Sequence, residues 1–270
     1  MTICIATIAD DGKSLVLAAD KEITYSFPLN IEVEDGSKKI VKITDKIFIL
    51  AAGIGEFCVE ITSEVKREKQ GATSVKEITE YTYNVYTRLR EQRLTELYLR
   101  PRGFISAQDY IQKQQQLNLQ VVNFLDNVLA SDPQGMFSVA LIIAGIDTTG
   151  TYIYTITPPG TITPMNQQGF ATIGIGDIHA NNSLIGSSYK TSNTLKESLY
   201  LTYEAKKRSE VAPGVGKSTD IITVTNEQYN ELTDKEIIDL DKIVKDVKNS
   251  LATTIKTKLS EDNLFAKKKK

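Results

Sequence analysis

Continuous apolar runs, not alternating ones, open the chain. Ile3 to Ile8 and Leu15 to Asp20 flank the turn residues Asp10-Asp11-Gly12, which predicts a β-hairpin. Lys39 to Ile43 and Ile47 to Ala52 repeat the theme around Thr44-Asp45-Lys46, while the polar stretch Phe27 to Gly36, with its Pro and Gly, reads as a loop. After Gly53 the period changes. Phe57, Cys58, Ile61 and Val65 follow helical spacing, and Gly71 ends that helix. Ser74-x-x-Glu77 is a capping box opening a second helix, with Val75, Ile78, Thr82, Val85 and Leu89 on one face and a break at Arg100-Pro101-Arg102-Gly103. Ser106-x-x-Asp109 starts a third, Gln-rich helix whose stripe is Leu117, Val121, Phe124, Leu125 and Val128.

Strands return at Phe137 to Gly145, Thr151 to Thr157 and Phe170 to Ile175. Ile178 to Tyr189 reads as helix, and the capping box Thr194-x-x-Glu197 opens another that runs to about Val211. Asp220 to Thr225 is a strand, and Asp234 to Leu264 is one amphipathic helix carrying Ile237, Leu240, Val244, Val247, Leu251, Ile255 and Leu259. Hairpins with grouped helices predict antiparallel sheets in α/β layers, not βαβ winding.

Composition narrows the chemistry. With 32 basic and 34 acidic residues the net charge is -2, so the chain lacks the basic excess of a nucleic-acid binder, and Lys267 to Lys270 read as a solubilising end. One histidine, His179, and two cysteines, Cys4 and Cys58, leave little basis for a disulfide scaffold, a zinc site or a histidine relay. Cys4 and Cys58 read as core residues, and His179 as a helix-start residue. No apolar run is long enough to span a membrane, and the first residues lack a signal-peptide pattern, so the expected location is the cytoplasm. Gly214-Val215-Gly216-Lys217-Ser218-Thr219 imitates the end of a phosphate-binding loop. However, Val211 stands where the first Gly is required, and a helix precedes where a strand should.

The early pattern, Thr2, Asp-Gly, Leu-Val-Leu-Ala-Ala-Asp20-Lys21, Lys38-Lys39-Ile40 and Ala51-Ala52-Gly53, resembles the proteasome β-type family of N-terminal nucleophile hydrolases. Phe137 to Asp147, the Gly174-x-Gly176 turn and Gly214 to Asp220 match later family segments in order. The resemblance spans about residues 2–226 and excludes an insertion at about 99–133. It implies an α+β fold, a four-layer α-β-β-α sandwich with two antiparallel sheets. The inserted helix and a C-terminal helical extension would be additions to it, with a domain at 1–230 and an extension at 231–270.

It also implies a threonine-type peptidase. Removal of Met1, favoured by a small second residue, leaves Thr2 with a hydroxyl and a free α-amine. That amine has an ordinary pKa of about 7.7–8.0 and serves as the base, so no histidine is needed. By the resemblance, Lys39 supplies an ammonium that favours the alkoxide, Asp20 orients Lys39, and the Gly53 N–H forms the oxyanion hole. Thr24 would pair with an extended peptide substrate, and Ile23, Val41, Ala51, Gly55 and Val59 would line the pocket. Ile175 occupies the place of the family's helper Ser, and Ala212 and Val215 occupy those of an Asp and a second Ser; Asp177 and Glu210 are the candidates to substitute. No metal or organic cofactor is indicated. The implied partners are a peptide or protein substrate, further copies of the chain in a ring-like homo-oligomer, and an ATPase regulator. The alternatives are a catalytically silent structural subunit, or an amidohydrolase or transpeptidase using the same centre. Singly, each residue has a plain reading: Thr2 in a strand with Met1 retained, Asp20 at a strand end, Lys38 and Lys39 on a loop edge.

Overall fold

The computed structural model describes residues 2–25, 31–33, 38–131 and 138–261. In chain order the elements begin with β1 (Ile3–Ala9), β2 (Ser14–Asp20), β3 (Ile23–Tyr25), β4 (Ile31–Val33), β5 (Ile40–Lys42) and β6 (Ile47–Gly53). The helices α1 (Gly55–Lys69), α2 (Val75–Leu94), α3 (Ala107–Lys113) and α4 (Leu119–Ser131) follow. Next come β7 (Val139–Asp147), β8 (Gly150–Thr157), β9 (Thr161–Pro164) and β10 (Phe170–Gly174), then α5 (Asp177–Gly186) and α6 (Leu195–Ser209). The chain continues with β11 (Thr219–Thr225), β12 (Tyr229–Glu231) and α7 (Asp234–Glu261). It divides into two units, Met1–Glu231 and Leu232–Lys270, and α7 belongs to the second.

The first unit holds two five-stranded antiparallel sheets, ordered β10-β1-β2-β11-β12 and β5-β6-β7-β8-β9, and the short pair β3-β4. Three apolar clusters explain why the strands read as unbroken hydrophobic runs. Cys4, Ala6, Ile8, Leu15 and Leu17 of one sheet meet Phe48, Leu50, Ile142 and Ala144 of the other. The opposite face of the first sheet sets Ile3, Ile5 and Phe170 against Ala180 and Leu184 of α5 and Ala205 of α6. The opposite face of the second sheet sets Ile47, Ile49, Leu141 and Ile143 against Phe57, Ile61 and Val65 of α1 and Ile78 and Val85 of α2. Successive side chains on a strand point to opposite faces. With both faces covered, every position of β1 and β2 is buried. The chain is therefore α+β with antiparallel sheets.

Some sequence expectations need correction. Ile31–Val33, inside the expected loop, is a strand paired to β3 through Thr24 and Glu32; its Ile-Glu-Val alternation is masked by the neighbouring Pro28 and Gly36. The Gln-rich insertion is two helices. Gln114–Gln116 tightens to a 3-10 turn, Leu117 is extended at φ -97° and ψ 157°, and the Asn118 side chain accepts the Gln120 N–H at 2.8 Å. Asn favours such a cap over a helix interior, so the register resets and the predicted stripe is split. Leu125 and Val128 are buried, whereas Val121 and Phe124 are partly exposed. Both helices dock on the first unit: Tyr110, Leu125 and Val128 join its outer cluster, and Arg90 donates to the Leu129 carbonyl at 3.1 Å. Strands β9 and β12, four and three residues long, carry too little pattern to be read from sequence. Phe137, Pro133 and the expected helix end at Leu264 lie outside the described residues.

Candidate active site

The site gathers at one end of the two sheets. β1 starts there, β2 ends there, β5 starts there and β6 ends there. β2 lies between β1 and β11 in its sheet, which puts its last residue, Asp20, opposite Thr219 and buries it to 1% exposure. A carboxylate so placed needs partners for both oxygens. Its Oδ1 accepts the Ile3 N–H at 2.8 Å and the Lys39 ammonium at 2.8 Å; its Oδ2 accepts the Gly216 N–H at 3.0 Å. Lys39 is itself 9% exposed. One oxygen therefore ties the peptide group joining Thr2 to Ile3 to the ammonium of Lys39, no more than two hydrogen-bond lengths apart.

Thr2 is buried at 4% exposure in the chain that still carries Met1. Its carbonyl lies under the turn after β10. A Cβ on Gly174, whose φ is +107°, would fall 2.2 Å from the Thr2 oxygen, and the Gly176 N–H approaches the same oxygen at 3.4 Å. Only glycine permits that approach. Ile175, between these glycines, is 49% exposed.

Lys39 hands the chain to β5, and its carbonyl accepts the Ala51 N–H at 3.1 Å. The Ala51 carbonyl in turn faces the Cys4 thiol at 3.6 Å, so Ala51 joins the Lys39 strand to β1. Burial pushes the Cys4 thiol far above the usual range and the Cys58 thiol up to about 12, which leaves neither as a ready thiolate. Gly53 ends β6 at φ +132°, where a Cβ would strike the Ser138 carbonyl at 2.2 Å. Gly55 and Val59, in the first two turns of α1, are exposed, and Val41 is half-buried against the outer cluster. For Ile23 and Thr24 the backbone alone is described, in β3.

The two expected substitutes occupy different settings. Asp177 opens α5 and its Oδ1 accepts the N–H of neighbouring Ile178 at 2.6 Å. Glu210 follows α6 and binds the ammonium groups of Lys206 at 2.6 Å and Lys207 at 2.8 Å. Lys206 was not singled out in the sequence. It is fully buried, and besides Glu210 it donates to the carbonyls of Gly216 at 2.8 Å and Lys217 at 2.7 Å. Burial holds its pKa below the ordinary lysine range, against the pull of Glu210. A signal was present: Ser198, Thr202, Lys206 and Ser209 recur at helical spacing on the inward face of α6, and a lysine there demands a partner. The phosphate-loop look-alike turns its Gly216 and Lys217 carbonyls to this ammonium and its Gly216 N–H to Asp20. Those groups are committed inside the protein.

Among the described residues, no helix is long and apolar enough to cross a membrane. No protein-family model matches the chain. It is similar to a proteasome subunit beta of Ferroglobus placidus, with 26% identity over 241 residues that cover 87% of this chain and 92% of that protein.

Proposed function

We propose that the protein is a proteasome-like, threonine-type peptidase of the N-terminal nucleophile class, built as a four-layer α-β-β-α sandwich. One observation carries this reading: a buried carboxylate, Asp20, bonds the amide following Thr2 and the ammonium of Lys39 through the same oxygen. The similarity to a proteasome beta subunit over most of both chains supports it. Removal of Met1 must free the Thr2 amine and open its surroundings, since Thr2 is 4% exposed before it.

In the reaction the Thr2 hydroxyl oxygen attacks the substrate carbonyl carbon, and its proton passes to the Thr2 amine, directly or through water. Lys39 lowers the energy of the alkoxide, Asp20 orients Lys39, and the Gly53 N–H takes the developing oxyanion. The amine returns its proton to the leaving nitrogen as the peptide bond breaks, and water then hydrolyses the ester on Thr2. Ile23, Val41, Ala51, Gly55 and Val59 line the pocket and favour an apolar substrate residue, while Thr24 adds the peptide as a strand. Asp177 and Glu210 act on the periphery in place of the missing helper groups. Assembly with further copies, an ATPase regulator and a cytoplasmic location belong to the same reading.

The burial of Thr2 and the apolar Ile175 beside it favour a second reading, a catalytically silent structural subunit. Intact mass and fluorogenic peptide hydrolysis separate the two. Loss of Met1 and peptide hydrolysis that falls at least about 10³-fold in Thr2→Ala, with substantial retention in Thr2→Ser, are expected. The rate should rise with pH as the amine deprotonates, with an apparent pKa at or below about 8 because Lys39 disfavours its charged form. A natively purified protein that keeps Met1, or Thr2→Ala matching wild type on peptides and on amine acceptors alike, removes the enzyme reading.

A further inference from the structure

Gly216 bridges two buried charges. Its carbonyl faces the Lys206 ammonium at 2.8 Å, and its N–H faces the Asp20 carboxylate at 3.0 Å. Elsewhere in the segment 212–218 between α6 and β11, the Ala212 N–H donates to the Ser209 carbonyl at 3.0 Å and the Thr219 hydroxyl to the Lys217 carbonyl at 3.4 Å. Val215 N–H to the Ala212 carbonyl at 3.2 Å closes a turn, and the Ser218 carbonyl accepts the Lys21 N–H at 3.2 Å. All three Lys206 donors are engaged, on Glu210, Gly216 and Lys217. Gly216 sits close against Glu22: a Cβ there would fall 2.5 Å from Glu22 Cβ, 2.9 Å from its Oε2 and 3.1 Å from its amide nitrogen.

We propose that Lys206 is a positioning residue for the Asp20–Lys39 pair: it draws the Gly216 and Lys217 carbonyls inward and so aims the Gly216 N–H at Asp20 Oδ2. With that N–H in place the carboxylate has one orientation, Oδ1 toward Ile3 and Lys39. Without it, one oxygen of a buried carboxylate loses its donor and the group is free to rotate. Lys39 then shifts relative to Thr2. Misplacement by about 1 Å costs about 10²-fold in a positioned reaction. The catalytic half of this inference rests on the peptidase reading; the structural half does not.

The test uses the full chain carrying Lys206→Met with Glu210→Gln, which removes both charges and leaves neither buried alone. Amide hydrogen exchange is read at Gly216 and across β2. Protection of Gly216 is expected to fall at least about tenfold more than that of the β2 amides. Relative to Glu210→Gln alone, peptide hydrolysis should lose about 10- to 100-fold in kcat with KM little changed. If that pair does not fold, Lys206→Gln, which keeps a shorter donor, is measured in the same way and should show the same local loss in smaller degree. Unchanged protection at Gly216, or a uniform loss across Gly216 and β2, overturns the proposal, as does an unaltered kcat in a folded variant of an active wild type. A wild type without peptidase activity counts against the peptidase reading alone, and the exchange measurement still decides the role of Lys206.

Discussion

At the residue scale, a polar group drawn partly out of water is worth what its partners make it. Asp147 shows this away from the site. Burial alone would raise its carboxyl, but the Thr149 hydroxyl and the N–H groups of Val75, Thr149 and Gly150 hold it below the usual carboxylate range. Val75 is the first residue of α2, so Asp147 satisfies a helix-start donor from a distant turn. A depressed carboxyl contributes stability above its unfolded pKa, near 3.9, and loses it as pH falls through its folded value. Unfolding free energies of wild type and Asp147→Ala from urea titrations should therefore differ by about 1–2 kcal/mol near neutrality and converge toward about pH 2. Among the candidate site residues, Asp20 and Lys39 were legible through motif resemblance. Lys206 recurs at helical spacing with Ser198, Thr202 and Ser209, but a lysine in such a pattern reads as solvated until the inward face is known.

Glycine decides how closely two elements approach, and this is the property of the site most sensitive at the element scale. Gly12 and Gly174 both have positive φ, +85° and +107°. A Cβ on Gly12 meets nothing within 4 Å, whereas one on Gly174 strikes the Thr2 carbonyl. Gly12→Ala should cost about 1 kcal/mol, from backbone conformation alone. Gly174→Ala should cost about 2–3 kcal/mol or more, since β10 and the start of β1 must part. Urea denaturation of the two variants checks the difference. The helices α1, α2 and α6 were legible from their apolar stripes, and for α2 and α6 the Ser74 and Thr194 side chains accept the expected N–H groups. The insertion was not, because its break rests on a side-chain bond from Asn118 that periodicity does not register.

At the scale of the whole molecule, the three apolar clusters found among the described residues consist of residues from the first unit. Unfolding of that unit should thus not require the second. A chain ending at Glu231 should unfold in one cooperative transition, with a denaturant slope in proportion to its own buried surface. Circular dichroism and fluorescence transitions that fail to coincide would show that residues 232–270 contribute to the fold of the first unit. The α+β class was legible at this scale because two strand groups alternate with helix groups. The pairing order β10-β1-β2-β11-β12 was not, since strands far apart in sequence meet only through burial on both faces.

The sequence by itself determined the main strand hairpins and helices, the burial of the first strands, and which residue types are available for chemistry: one histidine, two cysteines, and Thr2, Asp20 and Lys39 in a telling order. Those properties are local, set by period, turn residues and composition. Tertiary structure decided that Asp20 shares one oxygen between Ile3 and Lys39, that glycines press on Thr2, and that Lys206 reaches Asp20 through Gly216. Those contacts join residues up to 196 positions apart. No local preference encodes them; they exist because buried charges must find partners once two sheets close over them.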